Sequence, residues 1–167
     1  MSEQVSSEQP GTGGGPLAEL AFHTATPAAL DAVTVYRILA LRVTVFVVEQ
    51  ACPYPELDGR DLEPAARWMW ASSGDEVIAT LRVLFDDPAT ARIGRVATAA
   101  SARSAGIGAR LMNYALAEIG PLPAIVLDAQ SPLAGWYQRF GFARDGREFI
   151  EDGIAHLPMR RPAGQHR

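Results

Sequence analysis

The chain has 167 residues, 15 Lys and Arg against 19 Asp and Glu, a formal charge of −4 and 48% hydrophobic residues. That length suits one domain with its own core. The acidic balance argues against a protein that tracks nucleic acid, since that affinity comes from Lys and Arg at phosphates. One cysteine, Cys52, and three scattered histidines, His23, His156 and His166, exclude an internal disulfide and a zinc-ligand spacing. No apolar run reaches about 18 residues and no basic-then-apolar leader is present, so neither membrane nor secretion is expected, and the location is read as cytoplasmic.

Residues 1–16, rich in Ser, Gln, Gly and Pro, read as a disordered tail. Residues 17–161 read as the folded domain, and 162–167 as a frayed end. Leu17 to Thr24 is an edge-strand candidate. Thr26-Pro27 offers an N-cap followed by a proline at a first helical position, predicting a helix to about Val45. Its apolar face is read from Leu30, Val33, Tyr36 or Arg37, Leu39 or Ala40, Val43 and Val47. Pro53 to Gly59 is a loop, and an acidic one. Strands are predicted over 66–71, 76–85 and 91–98, joined by short turns as an antiparallel meander.

From Gly106 the period becomes helical, with Ile107, Leu111 and Ile119 on one side as far as Gly120-Pro121. Ala124 to Leu127 is a short apolar run of the kind found in a buried strand. A short aromatic helix follows from about Leu133 to Phe140. Two final strands, 142–150 and 154–160, flank the turn Glu151-Asp152-Gly153. The sum is an α/β chain of the α+β kind, a mixed sheet with helices on it.

Arg103-Ser104-Ala105-Gly106-Ile107-Gly108 joins a strand to a helix start, where unpartnered backbone N–H groups attract anions. Its two glycines allow either close approach of a diphosphate or tight packing of helix on strand. Leu111 stands where a third glycine of a dinucleotide fingerprint would fall, and no Gly-Lys-Ser/Thr is present, so neither Rossmann nor P-loop chemistry applies.

That Arg-x-x-Gly-x-Gly turn, followed by an amphipathic helix, an apolar strand and Trp136-Tyr137-Gln138-Arg139-Phe140-Gly141-Phe142, resembles the acyl-CoA signature of the GNAT N-acetyltransferases. Phe46 to Gln50, Cys52-Pro53-Tyr54, Asp58-Gly59, Asp61-Leu62 and Glu151 to Ile154 with His156 resemble the ElaA-type branch. The resemblance implies a mostly antiparallel seven-stranded sheet splayed between its fourth and fifth strands, flanked by helices, with acetyl-CoA as co-substrate in the cleft. It implies that the backbone of Val96, Ala97 and Thr98 meets the pantetheine arm. Arg103, Ser104, Ala105, Gly106, Ile107, Gly108 and Ala109 would cradle the pyrophosphate. Gln130 would hold the arm, and Tyr137 would be the general acid.

Direct acetyl transfer needs a neutral amine, a donor to the developing oxyanion and a proton for the departing thiolate. A tyrosine, ordinarily near pKa 10, is a protonated donor at neutral pH, and an N–H of Ala97 or Thr98 could meet the carbonyl oxygen. Packing beside Trp136 and Phe140 is the alternative role for Tyr137. No carboxylate lies on 91–98, so the base candidates are Glu49, Asp58, Asp61, Glu151 and His156. Glu49 follows an apolar run and is expected to be partly buried and pKa-shifted. His156 has a useful intrinsic pKa, or is a structural residue of a terminal strand.

Five acids between residues 49 and 63, with Arg60 their only counter-charge in that stretch, are either a solvated loop or a field that draws a cationic amine. Trp68 stands where the branch leads one to expect a histidine, and would then reshape the acceptor pocket. The implied activity is acetyl transfer to a primary amine of a small molecule or peptide, with no nucleic-acid or membrane partner. Monomer and homodimer both remain open. The alternative is an acyl-CoA-binding module without turnover.

Overall fold

A computed structural model describes residues 19–164, so the N-terminal tail reading and the last three residues lie outside it. Strand β1 (Leu20–Ala25) leads through a short 3-10 turn to helix α1 (Ala32–Val43). The helix starts later than Thr26-Pro27 suggests. Thr26 makes no side-chain cap, whereas the Asp31 carboxylate accepts from Val33 and Thr34 N–H at 2.9 Å each. Beyond Val43 the turns widen to π geometry over Thr44–Glu49.

The buried face of α1 also departs from the expected stripe. Val33 and Tyr36 are 57% and 75% exposed, while Ile38, Leu41 and Arg42 point inward. A periodicity search counts apolar letters, and Arg42, 1% exposed, is a charged member of the inner face.

Strands β2 (Arg67–Ser73), β3 (Glu76–Asp87) and β4 (Thr90–Thr98) form the antiparallel meander, with β1 at its edge. Helix α2 (Ile107–Ile119) crosses to β5 (Ala124–Gln130), which runs parallel to β4. Helix α3 (Ala134–Gln138) precedes β6 (Ala143–Arg144), β7 (Phe149–Glu151) and β8 (Ile154–Arg161). The sheet therefore has eight strands in place of seven, because residues 142–150 divide into two short strands that both pair with β8. Gly146, at φ 155° and with Pro158 Cγ 3.2 Å from where a Cβ would sit, marks the break.

The β4–β5 pairing covers only Thr90–Arg92 against Ala124–Val126. Beyond it β4 stays with β3 and β5 turns to β8, which opens a wedge between their C-terminal halves. The core lies under α2, whose Ile107, Leu111, Met112, Ala115 and Ile119 meet Met69, Leu81, Ile93 and Ile125 of the sheet. Gly164 N–H donates to Pro121 O at 2.8 Å, tying the chain's end to the β5 entrance. Leu111, 1% exposed, sits at the centre of this layer. Leu111→Ala should cost about 3 kcal/mol of unfolding free energy, read from urea or guanidinium titration with an unchanged m-value.

Candidate active site

The wedge is a cleft of about 530 Å³. Its walls include Phe46, Glu49 and Gln50 from the widened turn, Gly94 to Thr98 from β4, and Gln130, Tyr137 and His156 from the far side. The three expected catalytic residues, Tyr137, Glu49 and His156, thus share one cavity with Val96, Ala97, Thr98, Arg103 and Gln130. Ser104 to Ala109 do not line it; they form the turn and first α2 residues next to Arg103.

In that turn the two glycines have different reasons. Gly106 caps α2 at φ 72°, a left-handed conformation, with open space around its α-carbon. Gly108 has ordinary φ, but a Cβ there would stand 3.0 Å from Thr98 Oγ1. One glycine serves the backbone turn and the other the close approach of α2 to β4. The α2 N-terminus, a few residues after cleft-lining Arg103, has no side-chain cap.

The β3–β4 register breaks inside the cleft. Thr80 pairs with Ala97 and Arg82 with Gly94, so Arg95 and Val96 together oppose Leu81 as a β-bulge. Arg95 takes φ 55°, rare for a residue with a Cβ. Among the described residues, the non-glycine residues with positive φ are Ala51, Arg95, Ser104 and Asp152, and each lines the cleft or adjoins a residue that does. Strain gathers where the site is. Ala99 N–H donates to Ile78 O, whereas Thr98 O accepts Arg103 Nε at 3.0 Å. By the alternation of strand backbone, the Thr98 N–H faces away from β3 into the wedge.

Tyr137 is 7% exposed, its ring edge-on to Trp136 and Phe142, and its hydroxyl has no protein partner among the described residues. Burial pushes its pKa up to about 12. His156 Nδ1 lies 2.9 Å from Ile154 O; a carbonyl can only accept, so Nδ1 carries a proton and Nε2 is the ring nitrogen left for another partner. Phe149 stacks on the imidazole at 5.6 Å. Gln130 and Gln50 exchange amide hydrogen bonds across the cleft, the shorter at 3.2 Å.

Glu49 stands at the end of the widened turn with its side chain 32% exposed, and Arg103 Nη2 donates to it at 2.5 Å. The other acids depart further from a wet loop. Glu56 and Asp61 are 3% and 6% exposed; Arg42 donates to Glu56 Oε1 at 2.7 Å and to Asp61 Oδ1 at 2.6 Å. Arg82 grips both Asp58 oxygens, at 2.7 and 2.9 Å, and Arg95 reaches Glu56 and Asp58. The counter-charges of Glu56, Asp58 and Asp61 come from α1, β3 and β4, while Arg60 of the loop itself pairs with Glu63.

Trp68, 4% exposed, lies beneath this loop, with Nε1 donating to Asp61 O and Arg42 over its ring. It is not among the residues that line the cleft. Sequence reasoning did not find Gln50, Tyr54, Arg82 or Arg95 as cleft residues. The one available signal was the neighbourhood of Glu49 and Cys52. No group of His, Cys, Asp and Glu fit for a metal occurs among the described residues, and no helix there is long and apolar enough to cross a membrane.

An open sheet split between parallel strands, an uncapped helix start beside the split and a buried tyrosine opposite define an acyl-CoA transferase type of site. The model of the acetyltransferase (GNAT) domain matches residues 40–162, and the chain belongs to that family. A UPF0039 protein of Mycobacterium tuberculosis is 51% identical over 137 residues, 80% of this chain and 87% of that one. ElaA of Escherichia coli is 39% identical over 131 residues, 75% of this chain and 86% of that one. Among solved structures, an acyl-CoA N-acyltransferase from Pseudomonas aeruginosa superposes with TM-score 0.80 at 37% identity, covering 86% of this chain and 99% of that one. The E. coli ElaA structure gives 0.79 at 34%, with the same coverage. The ElaA-type resemblance is therefore sound.

Hydrogen bonds from Arg82 hold the Asp58 carboxyl down at about 2, against burial that acts the other way. A carboxylate whose folded pKa lies below its ordinary 3.8 stabilises the fold above that value, and the contribution is lost as pH falls from there towards about 2. The denaturation midpoint of the protein should drop more steeply over that window than that of Asp58→Asn. Parallel pH profiles would contradict the assignment.

Proposed function

We propose that the protein transfers an acetyl group from acetyl-CoA directly to a primary amine of a small molecule or peptide. The observation that carries this reading is the buried Tyr137 lining the same cleft as the inward Thr98 N–H. The residues present suit the co-substrate: Gly108 lets α2 approach β4, and the α2 N-terminus offers unpartnered N–H groups to a diphosphate. Backbone of Val96 to Thr98 would run beside the pantetheine arm. Acetyl-CoA supplies an acetyl group already activated as a thioester.

The chain's own groups then divide the chemistry. The Thr98 N–H stabilises the oxygen that gains charge as the amine nitrogen bonds to the carbonyl carbon. Tyr137 gives its proton to the sulfur as the carbon–sulfur bond breaks; with a pKa near 12 it is protonated throughout the neutral range. Before attack the ammonium gives one proton to His156 Nε2, the nitrogen left free while Nδ1 meets the Ile154 carbonyl, and the second proton that the nitrogen sheds as the amide forms restores Tyr137. Glu49, the base favoured on sequence, is engaged by Arg103 and serves the reading less well. Glu151 and Asp152, exposed at the rim without an ion pair among the described residues, favour an acceptor that arrives as an ammonium.

Acetyl-CoA at about 100 times its dissociation constant should raise the melting temperature by several degrees, while NAD leaves it unchanged. Tyr137→Phe should keep that shift and lose about 100-fold in kcat across an amine panel. With wild-type enzyme, kcat should show no alkaline loss between pH 8 and 10 attributable to Tyr137. Absence of a shift at millimolar acetyl-CoA overturns the reading. A shift without turnover would make the protein a binding module.

A further inference from the structure

We propose that the arginine–carboxylate cluster, buried at Arg42, Glu56, Asp61 and Arg82 and open to solvent at Asp58, is a positioning device for the reaction: Asp58 and Glu56 clamp Arg95 so that β4 keeps its left-handed bulge, which aims the backbone following it into the cleft. The inference rests on the acetyl-transfer reading for its activity readout and on backbone geometry for the rest.

Arg95 is the bulge residue, and a side chain at φ 55° is held there only if its surroundings fix it. Its guanidinium is fixed several times over. Nη2 donates to Glu56 O at 2.9 Å and to Asp58 Oδ2 at 3.3 Å, Nε lies 2.9 Å from Glu56 Oε1, and the Tyr54 ring lies beneath it at 5.8 Å. The strand opposite is gripped by the same acid. Asp58 takes both terminal nitrogens of Arg82, the residue paired with Gly94 just before the bulge. One carboxylate therefore pins both sides of the register shift, while Arg42 anchors Glu56 and Asp61 to α1.

Two features argue that the cluster serves geometry more than stability. Glu56 Oε2 and Arg82 Nε are buried without a hydrogen-bond partner among the described residues, a flaw in a network selected for stability alone. The segment it fixes, residues 95–98, is also the one whose N–H direction the chemistry uses.

The test exploits what glycine does at positive φ: it adopts the conformation without a clamp. Arg95→Ala and Asp58→Ala should each lower kcat about tenfold or more, with KM for acetyl-CoA changed less than about threefold, and Arg95→Gly should recover most of the Arg95→Ala loss. Backbone chemical shifts and three-bond HN–Hα couplings should report a left-handed residue 95 in the wild type and its loss in Asp58→Ala. If Gly is as poor as Ala at position 95, the guanidinium itself meets substrate and the proposal fails. It also fails if Asp58→Ala retains the left-handed signature. If wild-type protein neither binds nor uses acetyl-CoA, the functional reading falls, and the couplings alone decide the clamp.

Discussion

Placing Arg42 at 1% exposure inside the fold constrains everything around it. A guanidinium out of water costs several kcal/mol unless its donors are met with good geometry, and breaking such a pair is far worse than never having built it. Glu56 and Asp61 meet it from one side, so the loop between residues 52 and 63 must lie down over the sheet. Once there, its acids are within reach of Arg82 and Arg95 on neighbouring strands. Loop, helix and two strands are thereby fixed to one another at the edge of the cleft, alongside the apolar contact of Leu41 and Val45 with Ala97.

The second constraint is backbone geometry. Parallel strands β4 and β5 share only three paired residues before each follows another partner, and the space this leaves is flanked by a bulge on one side and by Tyr137 on the other. The glycine turn closes the cleft's edge by letting α2 sit against Thr98. Arg103, expected at a pyrophosphate, joins the Thr98 carbonyl to Glu49, and so links the end of β4 to the end of the widened turn.

The sequence disclosed those parts of the fold governed by neighbours in the chain. Strand and helix order, the α2 face from Ile107 to Ile119 and the glycine-marked start of that helix follow from periodicity and backbone freedom over a few residues. The resemblance added the splay, which local pattern does not contain. What stayed hidden depends on partners far apart. Arg42 looks like a surface residue until Glu56 and Asp61 are folded against it. Glu49 looks buried by its apolar neighbours until the π-type turn swings it outward to Arg103. The inward face of α1 was misassigned for the same reason, since one of its members carries charge. The bulge at Arg95 leaves no mark in the sequence at all.

In the proposed reaction the cleft between β4 and β5 holds a thioester with its carbonyl oxygen at Thr98 N–H and its sulfur at Tyr137. A crystal structure with acetyl-CoA, or with a non-hydrolysable thioether analogue, measures this directly. The sulfur should lie within hydrogen-bond reach, about 3–3.5 Å, of the Tyr137 hydroxyl, and the pyrophosphate at the N–H groups of residues 104–109. A pantetheine arm lying elsewhere, or a sulfur remote from Tyr137 with the cleft otherwise unchanged, would contradict it.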